Sequence, residues 1–164
     1  MIVRNVALVG CLVSACEPLS DVRINEFSAA NNMGCPDVFG ESDDWIELSN
    51  TTSSIIDLGG YRLFDDATSA DLAIIPPGVT IGPRGYLLLW ADEKNQGLDH
   101  LPFKLAAGGD RLTLEAPDGS VLDEVSWASN DPDVSYARFP DMVGDFARCA
   151  TPTCGESNSD HCGE

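Results

Sequence analysis

Apolar runs after residue 20 are short and end at turn signals, and this pattern constrains the fold more than any other feature of the sequence. The runs either alternate apolar and polar residues or are continuously apolar, and no segment shows a convincing period of 3.6 residues. A period of two places successive side chains on opposite faces of a strand. Short strands separated by glycine and proline therefore predict an antiparallel β-sandwich or barrel.

Nine segments carry the strand pattern, namely 22–27, 44–48, 55–58, 61–64, 72–75, 79–81, 86–90, 111–114 and 121–127. The run 86–90 is continuously apolar, which is typical of a strand buried on both faces. Pro117-Asp118-Gly119 predicts a hairpin turn into the last of these strands. We predict an all-β sandwich of about seven to nine strands with almost no helix.

The first 16 residues have the composition of an export signal. Arg4 precedes an apolar stretch, 6–15, that is shorter than the ~20 residues a membrane span needs. The stretch ends in Leu12-Val13-Ser14-Ala15-Cys16, and small residues before a cysteine are the pattern of a bacterial lipobox. We predict a lipoprotein signal peptide over 1–15, and a lipidated Cys16 followed by a short spacer over 16–20.

Three alternatives stay open at this end of the chain. Leu8-Val9-Gly10-Cys11 also fits a lipobox, although the apolar region before it is short. The second alternative is an ordinary signal peptide with an incidental cysteine, and the third is a buried first strand.

The six cysteines stand at positions 11, 16, 35, 149, 154 and 162. If signal cleavage removes Cys11 and a lipid is attached to Cys16, four cysteines remain in an exported protein. Four cysteines predict two disulfides in one of three connectivities. The alternative is a zinc site, because Cys149, Cys154, His161 and Cys162 lie close in sequence. Their spacing lacks the C-x2-C element of typical zinc sites.

The net charge is −18, from 27 acidic and 9 basic side chains. Such a surface repels nucleic acid, whose binding depends on Lys and Arg, and it attracts divalent cations. The acids form three loop clusters: Asp37, Glu41, Asp43 and Asp44; Asp65, Asp66 and Asp71; and Asp92, Glu93 and Asp99. Calcium prefers such oxygen ligands, so the candidate calcium site is formed by Asp65, Asp66 and Asp71 or by the 37–44 loop, and a solvated acidic surface is the favoured alternative.

A catalytic constellation is not evident. The histidines are His100, in a predicted loop, and His161, and the nucleophile elbow motif is missing from the sequence. Glu26 and Glu47 lie on predicted strands, where buried carboxylates that bind backbone groups are favoured over an acid–base pair. Asp123 is expected to behave likewise.

Trp45 and Trp127 are expected in the core or in inter-strand packing, with a sugar-stacking platform as the alternative. Because the sequence shows no catalytic constellation, we predict that the protein is not an enzyme.

Nine motifs follow one another in a fixed order between residues 22 and 158. They are INEF at 24–27, DWIELSN at 44–50, IDLGGY at 56–61, PPGVTI at 76–81, GYLLLWAD at 85–92, FKL with GGD between 103 and 110, PDGSVLD at 117–123, DVSYAR at 133–138 and PTCGESN at 152–158. Together they resemble the lamin tail domain family. The resemblance implies an immunoglobulin-like sandwich over 21–158, a tail over 159–164, and a structural or binding role without a reaction.

The resemblance also implies a disulfide pairing. Cys154 stands where the family pattern has proline, and Cys162 lies beyond the end of that pattern, so both resemble local additions. Two nearby additions are expected to pair with each other. The implied bonds are Cys154–Cys162 and Cys35–Cys149.

The sequence thus predicts an exported, membrane-anchored bacterial lipoprotein on the periplasmic or cell-surface face. Its expected role is a non-catalytic cell-envelope module with an envelope protein or glycan as partner, and no nucleic acid. The alternative is a calcium-dependent recognition module, for example for carbohydrate, that uses Asp65, Asp66 and Asp71.

Overall fold

The computed structural model describes residues 20–65, 72–94, 96–158 and 162, and these residues form twelve strands and no helix. The strands are β1 (Val22–Ser28), β2 (Asp44–Asn50), β3 (Ile56–Asp57), β4 (Arg62–Phe64), β5 (Ala73–Ile74), β6 (Thr80–Ile81), β7 (Tyr86–Ala91), β8 (His100–Leu101), β9 (Asp110–Glu115), β10 (Val121–Trp127), β11 (Ser135–Phe139) and β12 (Asp145–Cys149).

All nine predicted strands are present, and β8, β11 and β12 are additional. β8 has two residues, too few to give a pattern. β11 buries Ser135 and Arg138 along with Ala137, so its sequence does not alternate in the way that a half-buried strand normally does.

The strands form two principal sheets and one small one. The six-stranded sheet has the order β12-β11-β1-β2-β7-β8, and the four-stranded sheet has the order β10-β9-β4-β5. β3 and β6 pair separately. All pairs are antiparallel except β7 with β8. The predicted antiparallel sandwich is confirmed.

The main core lies between the two sheets. β1 contributes Phe27, and β2 and β9 contribute Leu48 and Leu112, all fully buried. Burial of each such side chain contributes roughly 1.5–3 kcal/mol to folding. Trp127 packs on Phe27 with ring centroids 4.5 Å apart, and its Nε1 donates to the Ala106 carbonyl at 2.9 Å. The structure therefore places Trp127 in packing, as the sequence predicts.

A second, smaller cluster covers the outer face of the six-stranded sheet. Alternation along β2 directs Trp45 and Glu47 away from the main core. Trp45 packs with Trp90, and residues 150–158, here called the covering segment, lie over this face through Cys154. Both faces of the sheet are thus buried at its centre.

An ion pair joins the two sheets near the start of β1. Arg138 of β11 donates to both carboxylate oxygens of Asp123 of β10, at 2.8 and 2.9 Å, and to the Ile24 carbonyl. Asp123 also accepts from the Ile24 backbone N–H at 2.9 Å. Asp123 binds backbone, as expected, and in addition neutralises a buried arginine.

The predicted disulfide pairing is wrong. The bonds are Cys35–Cys154, with a sequence separation of 119, and Cys149–Cys162, with a separation of 13. The expected Cys35–Cys149 and Cys154–Cys162 bonds are absent, because each of these cysteines has another partner. All four are oxidised, so none remains as a thiolate for the alternative zinc site.

Hydrogen bonds to the covering segment explain the observed pairing. After Cys149 the chain crosses the sheet, where Thr153 binds Glu26 and the Gly155 N–H binds Glu47. This path carries Cys154 to Cys35. Cys162 then returns beside the end of β12, where it forms an antiparallel bridge with Cys149.

Several predictions fall outside the described residues. They concern the signal peptide, Cys16 and the spacer up to residue 19, the acids Asp66 and Asp71, and most of the tail. Within the described part of the chain, no helix is long and apolar enough to cross a membrane.

Candidate cation site and buried carboxylates

The register of the six-stranded sheet brings two of the three acidic loop clusters together. Ser28, Trp45, Trp90 and His100 form one row of paired residues across β1, β2, β7 and β8. The loop before β2 and the loop after β7 therefore emerge at the same end of the sandwich. The first cluster meets the third cluster there.

His100 is buried where these loops meet. Its Nδ1 lies 2.6 Å from Asp92 Oδ2, and both side chains are about 1% exposed or less. Its Nε2 lies 4.0 Å from Asp37 Oδ2 and 3.9 Å from Asp99 Oδ1. Three carboxylates thus surround one imidazole, although His100 was predicted only as a loop residue.

Two atoms at this point have no hydrogen-bond partner. They are His100 Nε2 and Asp37 Oδ2, and both are buried. The other oxygen of Asp37 accepts from the backbone N–H groups of Phe39 and Glu41, each at 2.8 Å. These bonds fix the Asp37 carboxylate and leave Oδ2 facing the imidazole.

Asp37, Glu41 and Asp43 form an acidic trio whose ligand atoms lie within 4.8 Å of one another. Lys94 Nζ donates to Glu41 at 3.0 Å and to Asp43 at 2.6 Å. Hydrogen bonds from Gln96 and Lys94 lower the pKa of Glu41. The lysine partly neutralises the outer two carboxylates and does not reach the inner one in any ion pair of the described residues.

The carboxylates on the outer sheet face belong to a different network. Glu26 accepts from Ser135 Oγ and from the N–H and Oγ1 of Thr153. Glu47 accepts from Asn25 Nδ2 at 2.8 Å and from the Gly155 N–H at 2.7 Å. Both groups bind the backbone of the covering segment, as the sequence favoured.

Burial has a large effect on these two acids. It raises the pKa of Glu47 from 4.5 to about 8 and also raises the pKa of Glu26. Hydrogen bonds from Asn25 and Gly155 oppose the shift in Glu47, whereas the nearby charge of Glu26 adds to it. The network is built to hold the covering segment against the sheet.

The Lamin Tail Domain family model matches residues 17–129, which is more than half of the chain. The chain belongs to this family. No curated protein shows significant similarity to it. Membership makes this lamin tail domain an immunoglobulin-like module, and the family is one of non-catalytic modules.

The family match covers β1 to β10 and therefore both loops of the cation site. It ends before β11, β12 and the covering segment. The disulfide partners Cys149, Cys154 and Cys162 all lie beyond it. This lamin tail domain thus carries its disulfide-bonded closure outside the matched region.

Of the candidate calcium residues in the second cluster, Asp65 is described, and it directly follows β4 of the four-stranded sheet. Asp66 and Asp71 lie outside the described residues. Calcium binding there stays a prediction. The sequence signal that pointed to the observed site was the acidic character of both loops, but nothing in the sequence aligned them.

Proposed function

We propose that this lamin tail domain is a non-catalytic binding module of the bacterial cell envelope, tethered by a lipid on Cys16. The observation that carries the proposal is the use of the buried carboxylates. Glu26 and Glu47 are the acids for which the sequence left an acid–base pair as the alternative, and their oxygens accept bonds from the protein itself.

Export is supported by the two disulfides, since structural disulfides persist in oxidising compartments. The net charge of −18 argues against electrostatic attachment to anionic lipids. A covalent anchor is therefore the mode of membrane attachment that fits the composition. The lipobox-like segment ending at Cys16 supplies it.

The tethering is tested by expressing the full chain in a bacterium and separating membrane from soluble fractions. Cys16→Ser is expected to move the protein to the soluble fraction and to abolish labelling with a fatty-acid analogue. Cys11→Ser is the matched control, because Cys11 is the other lipobox-like cysteine and its loss should change neither result. Persistent membrane association and labelling of the Cys16→Ser protein would refute the anchor.

The binding role is tested by chemical cross-linking in intact cells, followed by purification of the wild-type protein. We expect a defined envelope protein or glycan to be recovered with the wild type, and to be lost with Cys16→Ser if anchoring positions the module. Recovery of no specific envelope component would leave a purely structural module and contradict the proposed binding role.

A further inference from the structure

We propose that His100 and Asp37 bind a divalent transition metal of the zinc class. Both His100 Nε2 and Asp37 Oδ2 are buried, lack a hydrogen-bond partner, and lie 4.0 Å apart. The two unpartnered ligand atoms face each other in a site surrounded by carboxylates, and a cation between them would satisfy both. The proposal goes beyond the binding role above and does not depend on the lipid anchor.

The separation suits a shared metal better than a direct bond. Hydrogen bonds between nitrogen and oxygen span about 2.7–3.2 Å, so 4.0 Å is too long for one. Zinc lies about 2.0–2.1 Å from an imidazole nitrogen and about 2.0–2.2 Å from a carboxylate oxygen. An ion between His100 and Asp37 would bridge the gap, and closure by roughly 0.7 Å would bring the two ligands to a tetrahedral angle.

Both ligands are held in position by neighbouring groups. Asp92 binds Nδ1 of His100 at 2.6 Å, which leaves Nε2 as the metal-binding nitrogen. This carboxylate–histidine arrangement is common behind metal-bound imidazoles. The backbone N–H groups of Phe39 and Glu41 hold the other oxygen of Asp37.

Asp99 lies on the solvent side of the imidazole. Its Oδ1 lies 3.9 Å from His100 Nε2, and its side chain is 44% exposed. A cation can therefore reach the imidazole along this carboxylate from solvent. The outer acids Glu41 and Asp43 add negative potential at the same end of the sandwich, and Lys94 only partly offsets it.

The ligand types select among metals. Imidazole nitrogen suits zinc, copper and nickel, whereas calcium and magnesium take oxygen ligands almost entirely. The central position of His100 therefore favours zinc over the calcium expected for the acidic loops. In a site with only oxygen ligands, the oriented imidazole of His100 would not serve as a ligand.

The test is calorimetric titration of the full chain with zinc and with calcium. The protein is exported so that both disulfides form, extracted in detergent and freed of metal with a chelator. We expect one zinc per chain, with calcium unable to compete at a hundredfold excess. His100→Gln should weaken zinc binding at least a hundredfold, and Asp92→Asn roughly 10–100-fold. His161→Gln, which changes the other histidine, should leave the affinity unchanged.

A spectroscopic readout keeps the proposal testable if His100→Gln does not fold. Zinc should shift the ¹⁵N resonance of His100 Nε2 in the wild-type protein and leave the nitrogen next to Asp92 with much smaller changes. Absence of zinc binding would overturn the proposal and leave a direct contact among His100, Asp92 and Asp37. Equal competition by calcium, or zinc binding that survives both the His100 and the Asp92 substitution, would also overturn it.

Discussion

Glu47 shows how much of a buried acid's role the sequence can predict. Its place on a predicted strand was readable from alternation, and a buried carboxylate was expected to find backbone partners. The identity of the partner was not readable, since Gly155 lies 108 positions away. Only the folded path of the chain brings them together.

The shifted pKa of Glu47 predicts a pH dependence of stability. The group titrates near 4.5 when unfolded and near 8 when folded, so the folded state binds more protons between these values. The free energy of unfolding should therefore fall as pH rises from 5 to 8, with a limiting slope of about 1.4 kcal/mol per pH unit for one proton. Glu47→Gln cannot titrate and should flatten the profile, as measured by urea denaturation at several pH values.

Glu156→Gln is the control for that experiment. Glu156 is exposed on the covering segment, and its removal should leave the pH profile unchanged. A residual slope is expected in Glu47→Gln, because the pKa of Glu26 is also raised. A wild-type stability that rises through this pH range would contradict the assignment.

His100 marks the limit of residue-level prediction. The sequence identified it as one of two histidines, and identified Asp37, Asp92 and Asp99 as loop acids. It could not place His100 between these loops, because that placement depends on the parallel pairing of β8 with β7. Such a two-residue pairing leaves no periodic signal.

At the scale of elements, local pattern was sufficient for strands that alternate and insufficient for strands that bury polar groups. β2 alternates, and β7 is apolar throughout its buried part, so both were readable. β11 buries Arg138 against Asp123, and only the partner on β10 makes that burial favourable. β12 depends on pairing with β11 and has little apolar pattern of its own.

The two disulfides are expected to contribute differently to the free energy of unfolding. Cys35–Cys154 closes a separation of 119 residues and Cys149–Cys162 one of 13. In the chain-entropy model these loops correspond to about 5 and about 3 kcal/mol. Replacing Cys35 and Cys154 together with serine should therefore lower the melting temperature more than replacing Cys149 and Cys162 together.

Thermal denaturation of the two double variants at one pH measures this difference. Peptide mapping without reduction provides the matching structural check on the wild type. It should yield one fragment joining Cys35 to Cys154 and another joining Cys149 to Cys162. Recovery of a Cys35–Cys149 fragment would contradict the fold of the covering segment.

At the scale of the whole molecule, acidic side chains outnumber basic ones three to one. Like-charge repulsion in the compact state should then outweigh the few surface ion pairs. We expect sodium chloride to stabilise the fold, because the Debye length falls from about 30 Å at 0.01 M to about 8 Å at 0.15 M.

The expected increase in melting temperature across that range is on the order of 3–5 °C, or about 1 kcal/mol. The measurement is made with a chelator present, so that bound divalent cations do not contribute. Potassium chloride should act equally, which separates screening from binding of a specific ion. A fall in melting temperature would mean that attractive pairs dominate the surface.

The position of His100 in the row Ser28, Trp45, Trp90 and His100 determines how far the proposed metal would lie from the membrane. β1 begins at Val22, close in sequence to Cys16, the proposed site of lipidation, and ends at Ser28 in that row. Six residue steps along a strand span roughly 20 Å. That distance exceeds the ~8 Å over which salt screens the charge of lipid headgroups. With β1 oriented along the membrane normal, a lipoprotein tethered in this way would hold His100 beyond the ion atmosphere of the bilayer, so its occupancy would report the metal concentration of the surrounding fluid rather than that of the membrane surface.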